Sequence, residues 1–189
     1  MGRRSSIGEE ELIEALSRVF RDTGYEGATL SSLSQETGLQ RASLYHRFPG
    51  GKEQMAQEVL AATESWLREN IFEPLKRGGS VDQRLQLMIR KLDELYSSGK
   101  QACVLNMLSS ALDHDSPFAE PIKRIFEALI GALAALAEER GLEKSDAWER
   151  AQRAVILLHG SLVLSRGTGS QKPFERFLET LPVELFGQG

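Results

Sequence analysis

The stretch TLSSLSQETGLQRASLYHRFPGGKE, Thr29 to Glu53, decides how this chain is read. Thr29 stands as an N-cap before a short helix in which Leu30 and Leu33 face inward, and Gly38 closes that helix. After Gly38-Leu39 a second helix runs from Gln40 to about His46, with Ala42 and Tyr45 three apart, before Pro49-Gly50-Gly51 breaks the pattern. Helices of roughly nine and seven residues are too short to be stable alone or to be good bundle partners. Joined by a glycine turn, they fit a helix-turn-helix, in which the first helix crosses a DNA backbone and the second lies in the major groove.

The side chains of the second helix support that reading. Its outer face carries Gln40, Arg41, Ser43 and, at its end, Arg47, donors and acceptors of the kind that read base edges. Tyr45, His46 and Lys52 suit phosphate oxygens, which fix register without reading sequence. Lys52 also opens the next helix, whose free N–H groups favour an anion. With Thr29 these residues are the expected DNA-contacting set, while Leu44 and Phe48 are expected in the core. A solvated polar face is the plainer alternative.

Charge fits this arrangement once it is resolved along the chain. The 189 residues carry a net charge of −4, which by itself argues weakly against a nucleic-acid partner. Residues 1–53 hold seven Lys/Arg against eight Asp/Glu, yet residues 37–52 hold Arg41, Arg47 and Lys52 with no acid, and Arg3 and Arg4 lie in the tail. A backbone contact depends on the local patch rather than the total.

Apolar residues recur at helical spacing nearly everywhere, and no run alternates as a strand, so the chain reads as all-α with about nine helices. Leu12, Ala15, Leu16, Val19 and Phe20 line the first helix, which ends at Gly24. A long helix is expected from Lys52 to about Leu75 with Met55, Val59, Ala62, Trp66 and Leu67 as its buried stripe, then helices over 81–97 and 101–113. Ser116-Pro117 restarts the chain toward Gly141, and the last two helices run from Ser145 to about Ser165 and from Lys172 to about Leu185. The expected division is a helix-turn-helix domain over 1–52 and a second domain over 53–189. At 41% hydrophobic residues the chain can bury a sizeable core. The lone Cys103 permits no intrachain disulfide, the N-terminus lacks a signal-peptide core, and no run is long enough to span a membrane. A reducing, cytoplasmic setting with no membrane partner is the expectation.

Residues 28–55, ATLSSLSQETGLQRASLYHRFPGGKEQM, resemble the N-terminal helix-turn-helix of the TetR-type transcriptional regulators. The pattern is carried by Thr29, Leu33, Thr37-Gly38-Leu39, Ala42-Ser43-Leu44-Tyr45, Phe48 and Lys52-Glu53. The match is specific over residues 9–60 and beyond them rests on length and helix order. Pro49-Gly50-Gly51 adds one residue between Phe48 and Lys52 relative to the usual spacing, as in a subgroup that also carries a segment like Ala102-Cys103-Val104-Leu105. Gln40 stands where Ser or Thr often caps the recognition helix.

The resemblance implies a bacterial regulator whose C-terminal domain binds a small molecule and dimerises. The residues allow this independently. From Ser145 to Ser165 apolar side chains cover nearly the whole circumference, and a helix apolar all round must be buried on all sides. Trp148, Ala151, Val155 and Leu158, with Phe174, Phe177, Leu178 and Leu181 on the last helix, are the expected interface of a homodimer; a large intrachain core is the alternative. A two-fold pair reads a palindromic operator with half-sites about 34 Å apart. Trp66, Met107, Leu108, Ala111, Phe126, Leu129, Ile130, His159 and Leu162 are nominated for an effector pocket, mainly apolar with one polar handle, although Leu and Met at such spacing are often plain core.

Other motifs are weaker. Asp113-His114-Asp115 is better read as helix termination than as a metal site, and Gly50-Gly51-Lys52-Glu53 lacks the first glycine and the Ser/Thr of a phosphate loop. There is no Gly-x-Ser-x-Gly elbow, and no cofactor or enzymatic activity is expected. Three functions are therefore carried forward. They are a ligand-responsive repressor released by a lipophilic or aromatic effector, a DNA-binding regulator or activator without a small-molecule ligand, and an all-α protein that uses no DNA.

Overall fold

A computed structural model describes residues 7–109 and 116–187, and every described element is helical. The order is α1 (Glu9–Gly27), α2 (Leu30–Thr37), α3 (Arg41–Arg47), α4 (Gly51–Leu67), a π-helical turn (Arg68–Phe72), α5 (Glu73–Lys76), α6 (Val81–Tyr96), α7 (Val104–Ser109), α8 (Ala119–Glu139), α9 (Lys144–Thr168) and α10 (Lys172–Phe186). The caps between α4, the π turn and α5 keep right-handed helical dihedrals, so these three make one continuous rod and the described residues hold nine helices.

Two compact units emerge, one from residues 1–63 with 104–121 and one from 64–103 with 122–189. By compactness the first unit runs past residue 52 and takes in a later segment of the chain. Met55, Ala56, Val59 and Leu60 are buried and extend the first core, and the later segment returns to it.

In the first unit α1 buries Leu12, Ala15, Leu16, Val19 and Phe20, the face read from the sequence. Its helical dihedrals break at Gly24 (φ 70°, ψ 179°), as expected, although a further turn continues to Gly27. Thr29 caps α2 through a capping box. Its hydroxyl accepts from the Ser32 amide at 3.1 Å and its own amide donates to the Ser32 hydroxyl at 3.1 Å. Gly38, at φ 67°, ends α2 in the left-handed region, where a Cβ would be strained. The Thr37 hydroxyl donates to the Leu33 carbonyl at 2.7 Å and accepts from the Leu39 amide at 3.3 Å, closing the turn. α7 packs on α1, and Phe118 meets the Tyr25 ring edge-on at 4.9 Å between centroids.

In the second unit the π turn comes where the Asn70 side chain donates to the Trp66 carbonyl at 3.0 Å. Ala62, expected on the buried stripe of the long helix, is exposed, and Trp66 is half-buried. Ser80 and Gln83 form the capping box of α6. The helix expected over 101–113 is described as α7, Val104–Ser109, with residues 110–115 outside the described set. Arg84 is buried and joins α6 to its neighbours, donating to the Leu75 carbonyl at 2.8 Å and pairing with Glu139 of α8. α9 and α10 lie along each other, fixed at their junction by the Ser165 hydroxyl accepting from the Phe174 amide at 3.2 Å. Among the described residues no helix is long and apolar enough to cross a membrane.

Candidate nucleic-acid interface

α3 is attached by two side chains. Leu44 is fully buried and Phe48, which follows the helix, is 3% exposed, as the sequence required. Everything else on it points outward, since Arg41, Ala42, Ser43, Tyr45, His46 and Arg47 are all exposed. A seven-residue helix cannot hold itself in water, so these two apolar contacts and the α2 turn must do so. Gln40 takes the N-cap position with an extended backbone but makes no side-chain cap bond, which leaves its amide available. The side chains of Gln40, Arg41, Ser43, Tyr45 and His46 have no partner among the described residues, and His46 and Arg47 in the last turn are placed favourably against the helix dipole. Arg47 lies 3.5 Å from Glu9, both well exposed, a contact that screening makes weak.

Around α3 the first unit is braced by contacts that the sequence did not announce. Arg18 of α1 donates to Glu36 of α2 at 2.7 Å, and that hydrogen bond is the main reason its guanidinium titrates above the ordinary value. The Ser34 hydroxyl donates to the Leu39 carbonyl across the turn. The Lys52 ammonium donates to the Tyr25 carbonyl at 2.8 Å and sits 4.3 Å from the centre of the Tyr25 ring. Burial, then the nearby Glu53 and Glu26 charges, push the Tyr25 phenol up from its ordinary pKa.

Lys52 therefore departs from the expected phosphate contact. Its charge is engaged within the protein, where it ties the start of α4 to the end of α1. The amides expected to welcome an anion there are also partly occupied. Gly50 donates to the Gln54 side chain at 3.0 Å and Gly51 to the Phe48 carbonyl at 2.8 Å. Thr29 remains exposed at the start of α2, with its hydroxyl serving the cap.

The residues nominated for an effector are divided by the fold. Trp66, Phe126, Leu129, Ile130, His159 and Leu162 belong to the second unit, whereas Met107 and the fully buried Leu108 belong to the first. Ala111 and Asp113-His114-Asp115 lie outside the described residues. Phe126 and His159 meet edge to face, 5.1 Å between centroids and 88° between planes. A groove of about 460 Å³ beside α5, α6 and α8 is lined by others, including Phe72, Ala128, Ala132 and Arg84.

The residues expected at a homodimer interface lie mostly on the covered sides of α9 and α10. Ala151, Val155, Leu158, Phe174, Phe177 and Leu181 are buried inside their own chain and Leu178 is half-buried, because α9 and α10 cover each other with these faces. Trp148 alone of the set is exposed. The apolar face left open on α9 is the opposite one, with Ile156 69%, Val163 61% and Leu164 57% exposed. Gly160 lies among them, with open space where a Cβ would stand.

Residues 12–59 match the model of the bacterial regulatory proteins of the tetR family, and residues 80–180 match the LmrA/YxaF-like transcriptional regulator C-terminal domain. The HTH-type transcriptional regulator LmrA of Bacillus subtilis is 24% identical over 92% of this chain and 94% of its own. A TetR transcriptional regulator from Legionella pneumophila superposes with a TM-score of 0.82 at 18% identity, covering 97% of this chain and 100% of that one. A cysteine mutant of the TetR-family regulator CifR, complexed with 26-base-pair operator DNA, superposes with a TM-score of 0.73 at 20% identity, covering 97% and 98%. The chain belongs to the TetR family of bacterial regulatory proteins.

Proposed function

Starting from that membership, we propose that this DNA-binding regulator is a repressor that acts as a homodimer on a palindromic operator and is released by a small lipophilic or aromatic effector. The observation that carries the reading is α3, pinned by Leu44 and Phe48 while its whole polar face stands clear. Gln40, Arg41 and Ser43 read base edges, and Tyr45, His46 and Arg47 hold the phosphates, with Thr29 at the flank. The DNA contacts lie within residues 1–52, and residues 53–189 supply the effector site and the dimer contact.

The dimer forms through the open stripe of α9, where Ile156, Val163 and Leu164 surround Gly160. A glycine there allows the second helix to approach closely, and burying the three large side chains supplies the driving force. An effector that favours a spacing of the two α3 helices unsuited to successive grooves lowers operator affinity, and the operator lowers effector affinity by the same factor.

Selection of bound duplexes from a random pool by the purified protein tests this directly. A recovered palindrome, with binding that falls steeply as salt rises, is expected. Enrichment of a single half-site or of no sequence refutes the dimeric-operator reading. Screening the recovered duplex against small molecules then tests release.

A further inference from the structure

His159 is out of place by the standards of its surroundings. On α9 the positions one turn either side of it, Val155 and Leu162, are buried, as is Leu158 beside it. Across from it α8 presents Phe126, whose flanking positions Ile122, Ile125 and Leu129 are buried as well. Both ring nitrogens, Nδ1 and Nε2, are shut off from solvent, and neither has a hydrogen-bond partner among the described residues. Buried polar atoms in folded proteins are almost always paired, because a donor or acceptor stripped of water and left alone destabilises the fold. Leucine or phenylalanine would fill the same space without that cost.

From these observations we infer that His159 is the selectivity contact of the effector site, and that it recognises a neutral hydroxyl on an otherwise apolar molecule. The inference rests on the reading of the second unit as the effector domain. A neutral imidazole has one N–H donor and one bare acceptor, and a hydroxyl can meet either. A carboxylate fits less well, since it would surrender its water for an apolar wall with a single imidazole opposite. The apolar body of the ligand packs against Phe126, Leu129 and Leu162. Because both nitrogens are sealed from solvent, the ligand reaches them by parting the side chains that cover the ring.

Naphthalene and 2-naphthol, which share a ring system and differ by one hydroxyl, are suitable probes. Calorimetric titration of the full-length protein should find 2-naphthol bound roughly tenfold more tightly than naphthalene. In His159→Leu that preference should vanish, while the melting temperature of the ligand-free protein is unchanged or higher. His159→Asn, which keeps a donor and an acceptor, should recover part of the preference. The ¹⁵N signals of the His159 ring should move with 2-naphthol and stay with naphthalene.

Equal binding of the two compounds by the wild type overturns the assignment, as does a preference that survives in His159→Leu. Release of the selected operator duplex is followed in parallel. Release by both compounds with no hydroxyl preference overturns the role of His159 alone. Binding of neither compound, with no release, overturns that role and counts against the effector reading beneath it.

Discussion

Replacing Lys52 with methionine separates two accounts of the residue that the sequence alone could not. In the structure its ammonium donates to the Tyr25 carbonyl at 2.8 Å and lies 4.3 Å from the ring centre. A hydrogen bond from a charged donor contributes about 1.5–3 kcal/mol, and a partly exposed cation over an aromatic face about 0.5–1 kcal/mol. Lys52 is only half-buried, so the lower ends apply, and Lys52→Met should cost about 2 kcal/mol. For a chain of this size that corresponds to a melting temperature lower by roughly 4–8 °C. The methionine keeps most of the apolar stem, so packing loss adds little. Operator binding, measured by fluorescence anisotropy well below the melting range, should keep its salt dependence, because no phosphate contact is removed. Arg41→Ala is the contrasting variant. It should melt within about 0.5 kcal/mol of the wild type while losing about 1–3 kcal/mol of operator affinity and relaxing sequence preference. If Lys52→Met melts normally and its salt slope becomes shallower by about one, the lysine serves the DNA and the structural account is refuted.

Three further outcomes are expected. Gly99→Ala should destabilise by about 2–4 kcal/mol in chemical denaturation, because the backbone there is left-handed (φ 84°) and the new Cβ would stand 2.8 Å from Cβ of Phe174; a change below about 0.5 kcal/mol would contradict the close approach. Val163→Arg should convert a dimer to a monomer in sedimentation and weaken operator binding while leaving the melting of the chain nearly unchanged, whereas Leu158→Arg should unfold it, and equal behaviour of the two would refute the division of α9 into a core face and a partner face. The Arg124 guanidinium, bonded to Glu64 at 2.9 and 2.8 Å, holds that carboxyl below its ordinary pKa. The pair's contribution is therefore present above the unfolded carboxylate value of about 4.3 and is lost as pH falls through the lower folded value, so Arg124→Gln should lose about 0.5 kcal/mol at neutral pH and nothing in strong acid.

What could be read from the sequence was whatever is local. The Thr29 cap, the Gly38 turn and the anchors Leu44 and Phe48 each follow from neighbours within a few residues, and each stands as expected. The partner of Lys52 lies 27 residues away and is a backbone carbonyl, which no side-chain pattern reveals. The π turn at Arg68–Phe72 was invisible for a related reason, since it accompanies an Asn70 bond to the Trp66 carbonyl rather than any lapse in helical periodicity. The contact of Phe118 with Tyr25 joins residues about half the chain apart, so no local pattern shows that segment returning to the first unit.

α9 carries apolar side chains on two faces, and only one of them is covered by its own chain. Periodicity reports that a side chain is apolar and where it lies on the helix, but not which surface covers it. Val155, Leu158 and Leu162 turn toward the chain's own core, while Ile156, Val163 and Leu164 turn away, and the six are chemically alike. A helix serving a single core needs one apolar stripe, with polar residues opposite. A second stripe of large side chains exposed to water gives the isolated chain nothing and leaves a surface prone to association. All-round apolarity therefore calls for a second covering surface beside the one that α10 provides. The packing of α10 against one side identifies the neighbour from the same chain, and Ile156, Val163 and Leu164 are the stripe it leaves uncovered.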